Sequence, residues 1–202
     1  MEQAIERLPL LETTGIQMFF NGPESFTPDD RYLLGEAPEV KNFYVAAGFN
    51  SIGIQSAGGA GMALAQWMDA GRPQMDIWDV DIRRIMPFQS NRHYLSARVT
   101  ETLGLLYADH YPYRQFASAR NIRRTPLHHK LAGHHACFGE VSGWERANWF
   151  LPADEVKAGK TPEYDYQWGR QNWFDYAAAE HQAVPKTAGL FDLSTFGKIR
   201  VL

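Results

Sequence analysis

The stretch that most constrains the fold runs from Asn42 to Met68 and reads NFYVAAGFNSIGIQSAGGAGMALAQWM. It opens with a short apolar run typical of a buried strand, passes through a glycine turn, and continues as a helix rich in small residues. Gly58, Gly59 and Gly61 remove side-chain bulk from that helix, so we expect it to pack closely against a flat neighbour. A strand that leads at once into such a helix predicts a fold that mixes helix and sheet.

The start of this helix is suited to binding a ligand. Asn50 or Ser51 is expected to cap it, and Gly53 leaves the backbone bare near its first turn. A helix N-terminus offers free N–H groups and partial positive charge, which suit a phosphate or the N1–C2=O edge of a flavin. Two known phosphate-binding motifs are not matched. After Gly59-x-Gly61 the segment lacks the third glycine of a dinucleotide motif, and it does not contain the Gly-Lys-Ser/Thr of a P-loop. From spacing alone, a close-packed helix–strand junction remains the stronger interpretation.

Composition excludes several classes of protein. The chain has 202 residues, 45% of them hydrophobic and 13% aromatic, which is enough to bury a core. Its net charge of −3 argues against a nucleic-acid binder that relies on phosphate neutralisation. We expect no membrane span, because no apolar run reaches about 18 residues. An acidic start without a secretory signal and a single cysteine, Cys137, predict a cytoplasmic protein, or a mitochondrial-matrix one if the source is eukaryotic.

Periodicity and turn residues predict the remaining elements. Strands are expected at 15–20, 31–34 and 42–47, helices at 52–70, 90–110 and 171–186, a loop at 152–166, and strand-like alternation at 192–202. One stripe of the helix at 90–110 is expected to face the core, and it consists of Leu95, Val99, Leu103, Leu106 and Tyr107. The composition changes near Arg72 and again near Pro126, which indicates pieces of a larger protein.

Three motifs near the start occur in a characteristic order, namely GPESFTPD (22–29), LGEAPEV (34–40) and AGFNSIGI (47–54). They resemble the end of the FAD-dependent oxidoreductase domain of the dimethylglycine/sarcosine dehydrogenase family. In that family the turn GFNSxG and the helix after it pass close to the isoalloxazine ring. The resemblance therefore implies flavin contacts, mostly through backbone atoms, at Gly48, Phe49, Asn50, Ser51, Ile52, Gly53 and Ile54.

Later motifs continue the resemblance. DIWDVDIRR (76–84), the helix near 94–105 and HYP (110–112) are similar to the short central domain of the same family. TPL (125–127), ACFGE (136–140), GWERANWF (143–150), EHQAV (180–184) and GLFDLS (189–194) resemble the start of its folate-binding domain. Two positions depart from the pattern, with His135 in place of a usual glycine and Pro185 in place of a common arginine.

The resemblance implies an α+β fold in three parts. Residues 1–71 would be the C-terminal part of a FAD-dependent, D-amino-acid-oxidase-like domain, and 72–124 the central domain. Residues 125–202 would begin an aminomethyltransferase domain similar to the glycine-cleavage T-protein, which binds folate. The family's adenine-binding glycine motif and flavin-attachment site lie upstream, so the chain alone is expected to be inactive and not to retain FAD.

The implied function is oxidative demethylation of dimethylglycine, sarcosine or a related N-methylated amine. FAD would take the hydride, tetrahydrofolate would take the one-carbon unit, and an unidentified acceptor would take the electrons. No catalytic residue is identified. Two alternatives stay open: a non-catalytic relative resembling the pyruvate dehydrogenase phosphatase regulatory subunit, and an interaction module derived from the fragment.

Several other features are interpreted as structural. The histidine pairs near Cys137 lack a second ligand pair, so no metal site is predicted. Most of the tryptophans are expected to pack in the core or between domains, and Glu180 with His181 is not expected to be a catalytic pair. A basic group is interpreted as a solvated loop or salt-bridge set, with an acidic partner or a polyglutamylated folate tail as the alternative; it comprises Arg114, Arg120, Arg123 and Arg124. Asp192 and Ser194 are read as structural members of the folate-domain motif.

Overall fold

The computed structural model describes residues 2–201 and contains helices and two small sheets. The helices are α1 (Glu2–Arg7), α2 (Gly53–Ala70), α3 (Arg92–Tyr107), α4 (His128–Gly133), α5 (Ala153–Lys157) and α6 (Phe174–Ala183). The strands are β1 (Leu33–Glu36), β2 (Tyr44–Ala47), β3 (Arg123–Arg124), β4 (Ala136–Val141) and β5 (Trp144–Phe150). Short 3-10 helices cover Pro9–Glu12, Ile82–Arg84 and Pro87–Ser90. The predicted mixture of helix and sheet is confirmed.

The first sheet is a hairpin of β1 and β2 with α2 packed against it. The two strands are antiparallel, with Leu33 opposite Ala47. Its core joins β1 to one face of α2 and consists of Leu34, Ala60 and Ala63. Alanine at two of these positions lets the helix approach the strands closely. Helix α2 ends at Gly71, which adopts the left-handed conformation at φ 69°.

The second sheet has the strand order β3-β5-β4 and was not predicted. β4 and β5 form an antiparallel hairpin, while the short β3 runs parallel to β5. Ser142 and Gly143 close the hairpin with φ values of 50° and 80°, the positive pair that a tight hairpin turn requires. The Ser-Gly dipeptide between two runs rich in apolar residues is the signal that could have revealed it. The sheet's buried core consists of Cys137 on β4, Trp149 on β5 and Leu151, which follows β5.

Most of the predicted helices and strands are confirmed, with ends that differ by a few residues. The strand predicted at 31–34 is β1, displaced by two residues, and the helix predicted at 171–186 is the shorter α6. Three predictions are wrong: 15–20 and 192–201 are not strands, and 152–166 contains α5. Neither wrongly predicted strand has a partner strand within residues 2–201, and an unpaired strand cannot satisfy its backbone hydrogen bonds. Leu202 lies outside the described residues.

The predicted core face of α3 is also wrong. Its buried residues are Tyr94, Arg98 and Thr102, which follow one another at intervals of four along the helix. Leu103 and Tyr107 from the predicted stripe are exposed. Two polar side chains therefore occupy the buried face, because they find partners on other segments. In residues 2–201, no helix has both the length and the apolar character needed to cross a membrane.

Candidate functional site

The turn between β2 and α2 has an unusual backbone. Gly48, Asn50 and Ser51 have φ values of 66°, 49° and 66°. Positive φ at two non-glycine residues is costly unless the surrounding contacts hold it, and such strain is concentrated at functional sites. A Cβ on Gly48 would lie 2.7 Å from the methyl carbon of Thr27, so both space and backbone angle require glycine there.

Asn50 fixes this turn from the inside. Its side chain is fully buried, and its Oδ1 accepts a hydrogen bond from the Thr27 N–H at 2.8 Å. Its Nδ2 donates to the Gly48 carbonyl at 2.8 Å and to the Thr27 hydroxyl at 3.0 Å. A buried amide with both ends satisfied is a rigid support. Asn50 therefore shapes the turn and does not cap α2, contrary to the sequence prediction.

The other predicted cap, Ser51, is also used elsewhere. Its hydroxyl donates to the Glu24 carboxylate at 2.8 Å and accepts from the Tyr107 hydroxyl at 2.5 Å. The N-cap position is Ile52, which makes no side-chain capping bond. The first turn of α2 therefore has no side-chain acceptor for its free N–H groups, which leaves them available to an electronegative ligand atom.

One face of α2 is bare. An added Cβ on Gly58, Gly59 or Gly61 would meet no atom within 4 Å, and the Ile54 side chain is fully exposed. The close packing predicted for these glycines is therefore not made by any described residue. What the chain presents is an uncapped helix start followed by a flat, small-residue face.

A chain of buried polar residues leads from this turn to the second sheet. Thr102 on α3 donates from its hydroxyl to the Pro28 carbonyl at 3.1 Å, beside the Thr27 that holds Asn50. One turn earlier on α3, Arg98 forms an ion pair with Glu140 of β4 at 2.7 Å. Sequence reasoning missed these residues, because nothing local distinguishes a buried arginine from an exposed one when its partner lies 42 positions away.

The residues near Cys137 give no sign of a metal centre or a reactive thiol. Among residues 2–201 no three His, Cys, Asp or Glu side chains are grouped so that they could hold a metal ion. Cys137 itself is buried, and that burial raises the pKa of its thiol to about 12. The thiolate form is thus scarce at neutral pH, so Cys137 is a core residue.

Most of the remaining polar candidates make structural contacts. Glu180 accepts a hydrogen bond from the Phe150 N–H, and burial raises the pKa of its carboxyl despite that bond. Glu145 is 2% exposed and pairs with Arg120. Burial raises the pKa of Glu145, but hydrogen bonds from Arg120 and the Asn121 N–H outweigh it and hold the pKa below its usual range. Among the tryptophans, Trp67 and Trp149 are buried, whereas Trp78 and Trp168 are largely exposed.

Two protein families match adjoining parts of the chain. Residues 70–125 match the FAD dependent oxidoreductase central domain, and residues 127–202 match the GCVT N-terminal domain. The chain thus contains two adjoining domain types, one of the FAD dependent oxidoreductase central type and one of the GCVT N-terminal type. It belongs to the dimethylglycine/sarcosine dehydrogenase family, as the sequence motifs predicted.

Three relatives illustrate the range of that family. 4-Methylaminobutanoate oxidase (formaldehyde-forming) of Paenarthrobacter nicotinovorans is 50% identical over 96% of this chain and 23% of its own length. Human mitochondrial sarcosine dehydrogenase is 38% identical over 98% of the chain and 24% of its own length. The mouse mitochondrial pyruvate dehydrogenase phosphatase regulatory subunit is 34% identical over 100% of the chain and 23% of its own length. The chain spans about a quarter of the length of each of these relatives.

Proposed function

We propose that this chain is the part of a FAD-dependent N-methyl-amine dehydrogenase in which the flavin unit meets the folate unit. In this proposal residues 1–71 end a D-amino-acid-oxidase-like domain, 72–124 form the central domain and 125–202 begin the folate domain. The family matches at 70–125 and 127–202 support the last two divisions. The β1–β2 hairpin with α2 supports a separate unit before them.

The flavin contacts are proposed at Gly48, Phe49, Asn50, Ser51, Ile52, Gly53 and Ile54. The observation that carries this assignment is the geometry of the turn: it is rigid, it leaves the first N–H groups of α2 uncapped, and the bare face of α2 follows directly. A planar ring can approach Gly58, Gly59 and Gly61 without meeting another residue at those positions. Backbone N–H groups at Gly53 and Ile54 would hold its electronegative edge.

The reaction proposed is oxidation of an N-methyl group in a small amino acid. Bound FAD would supply the acceptor for the hydride that leaves the methyl carbon. Sarcosine and 4-methylaminobutanoate, named in the two most similar relatives described above, share a methylated amine and a carboxylate. The one-carbon unit would then pass to tetrahydrofolate in the GCVT-type domain or leave as formaldehyde, the product in the name of the bacterial relative. A cytoplasmic location, or the mitochondrial matrix in a eukaryote, is proposed with it, since the human relative is mitochondrial.

Flavin retention by the longer protein that contains this chain tests the assignment. A Gly58→Leu substitution fills the bare face of α2 and should abolish the visible flavin absorbance of the purified protein. Gly104→Leu is the matched control, because Gly104 also lies on a helix with nothing within 4 Å of an added Cβ. Equal flavin content in both variants would overturn the assignment. The 202-residue chain alone should bind no flavin.

A non-catalytic regulatory role is the second candidate, supported by the 34% identity to the phosphatase regulatory subunit. Turnover separates the two candidates. The flavin-loaded longer protein should oxidise sarcosine, dimethylglycine or 4-methylaminobutanoate and release formaldehyde or form methylenetetrahydrofolate. Bound flavin with no turnover of any of the three amines would favour the regulatory role.

A further inference from the structure

Within residues 2–201, the basic group near the second sheet contains one arginine, Arg124, that has neither a carboxylate partner nor an aromatic ring beneath it. Three of the four arginines are engaged within the chain: Arg114 with Glu101, Arg120 with Glu145, and Arg123 over the ring of Trp144. Arg124 has no carboxylate within ion-pair distance among residues 2–201. Because neighbouring strand residues point to opposite faces, Arg124 projects away from the Trp144 ring that holds Arg123.

On that opposite face Arg124 lines an open pocket of about 320 Å³. The lining residues are Asn121, Arg124, Thr125, His128, His129 and Ala132. No carboxylate belongs to this lining. Two acids contact lining residues from outside the pocket: Asp192 accepts a hydrogen bond from the Thr125 hydroxyl at 2.8 Å, and Glu145 accepts one from the Asn121 N–H at 2.6 Å. The pocket therefore presents one permanent positive charge and two imidazoles.

A buried residue holds this arrangement in place. Glu145, at 2% exposure, accepts a hydrogen bond from the Asn121 N–H at 2.6 Å and so fixes Asn121 in its left-handed conformation, φ 64°. The Asn121 side-chain oxygen accepts from Arg124 Nε at 3.1 Å and lies 3.5 Å from His128 Nε2. Asn121 thus orients Arg124 and contacts His128, and the two Nη groups of Arg124 make no hydrogen bond to a described residue.

His128 lies beside Arg124 in the pocket. Burial lowers the pKa of His128, and the charges of Arg124 and His129 lower it further, while Glu145 acts in the opposite direction. Burial and the Arg124 charge therefore disfavour a proton on His128, which leaves Arg124 as the permanent positive charge of the pocket. An anion placed there would pair with the Arg124 guanidinium.

We propose that this pocket binds the oxyanion group of a small ligand, a carboxylate or a phosphate, with Arg124 as its main contact. The two Nη groups of Arg124 match the two oxygens of such a group, and His129 supplies a further N–H. This site is formed by both matched segments, with Arg124 in 70–125 and the two histidines in 127–202, and it is independent of the flavin assignment.

Titration of the 202-residue chain with inorganic phosphate and with malonate, at constant ionic strength, tests the proposal. Calorimetry should show saturable binding of at least one of the two, and the better ligand identifies phosphate or carboxylate as the preferred group. Arg124→Gln should weaken that binding about tenfold or more. Arg72→Gln is the matched control, because Arg72 is exposed, carries the same charge and lies outside the pocket.

Two results would overturn the proposal. One is the absence of saturable binding of both phosphate and malonate by the unsubstituted chain. The other is an equal loss of binding in the Arg124→Gln and Arg72→Gln variants, which would indicate only net charge. Identical melting curves of the two variants establish that a difference in binding is not a difference in folding.

Discussion

Arg98 of α3 and Glu140 of β4 form an ion pair in the interior, with 2% and 4% of their side chains exposed. Arg98 also donates to the Ser118 carbonyl at 2.8 Å and stacks over the Phe116 ring at 4.1 Å. The Glu140 carboxylate accepts from the Gly143 N–H in the β4–β5 turn. The segment matched by the central domain is thereby fastened to the segment matched by the GCVT domain.

Removing one member of this pair should destabilise the chain strongly. Arg98→Met leaves Glu140 buried without its charge partner, and such losses cost about 3–5 kcal/mol. Urea unfolding followed by tryptophan fluorescence measures the change. Arg98→Met combined with Glu140→Leu removes both charges, so the double variant should be more stable than Arg98→Met alone. A double variant that is less stable than the single one would contradict this account.

The buried network continues to the candidate flavin turn, where Asn50 is its last member. Asn50→Ala removes three hydrogen bonds and leaves the Thr27 N–H buried without an acceptor, a loss of about 1–3 kcal/mol. Asn50→Gly removes the same bonds but tolerates positive φ, so it should be more stable than Asn50→Ala by roughly 1 kcal/mol. Urea midpoints of the two variants give that difference directly, and equal midpoints would show that the backbone conformation carries no strain.

How far the sequence predicts this molecule depends on the range of the interactions. Hydrophobic periodicity and glycine breaks are local, and they correctly place α2 and β2. The positions of the Asn50 and Arg98 side chains depend on Thr27 and Glu140, which are 23 and 42 residues away. Local spacing therefore made Asn50 a helix cap and left Arg98 out of the core. The turn itself was reached through its resemblance to a family motif, which spacing alone could not supply.

Gly35 should tolerate no side chain. Its φ is 119°, and an added Cβ would lie 2.3 Å from a ring carbon of Trp67, which is itself buried. Gly35→Ala therefore forces the β1–α2 packing apart, and overpacking of this kind costs about 1–3 kcal/mol. Gly58→Ala on the bare face of α2 should instead stabilise the 202-residue chain by roughly 0.5–1 kcal/mol, because it favours helix without a clash. Thermal midpoints that move in the same direction for both variants would refute the packing described here.

Acid should weaken the second sheet through Glu145. Burial raises the pKa of this carboxyl, but the hydrogen bonds from Arg120 and the Asn121 N–H hold it below its ordinary 4.5 in the folded chain. Because the folded pKa is the lower one, the stabilisation is complete above pH 4.5 and disappears as the pH falls through the folded value. Urea midpoints measured between pH 7 and pH 3 should therefore fall less steeply in Glu145→Gln, which begins less stable at pH 7. Glu39→Gln, at an exposed position between β1 and β2, should retain the slope of the unsubstituted chain. A Glu145→Gln slope equal to that of Glu39→Gln would show that the Arg120–Glu145 pair does not set the acid sensitivity.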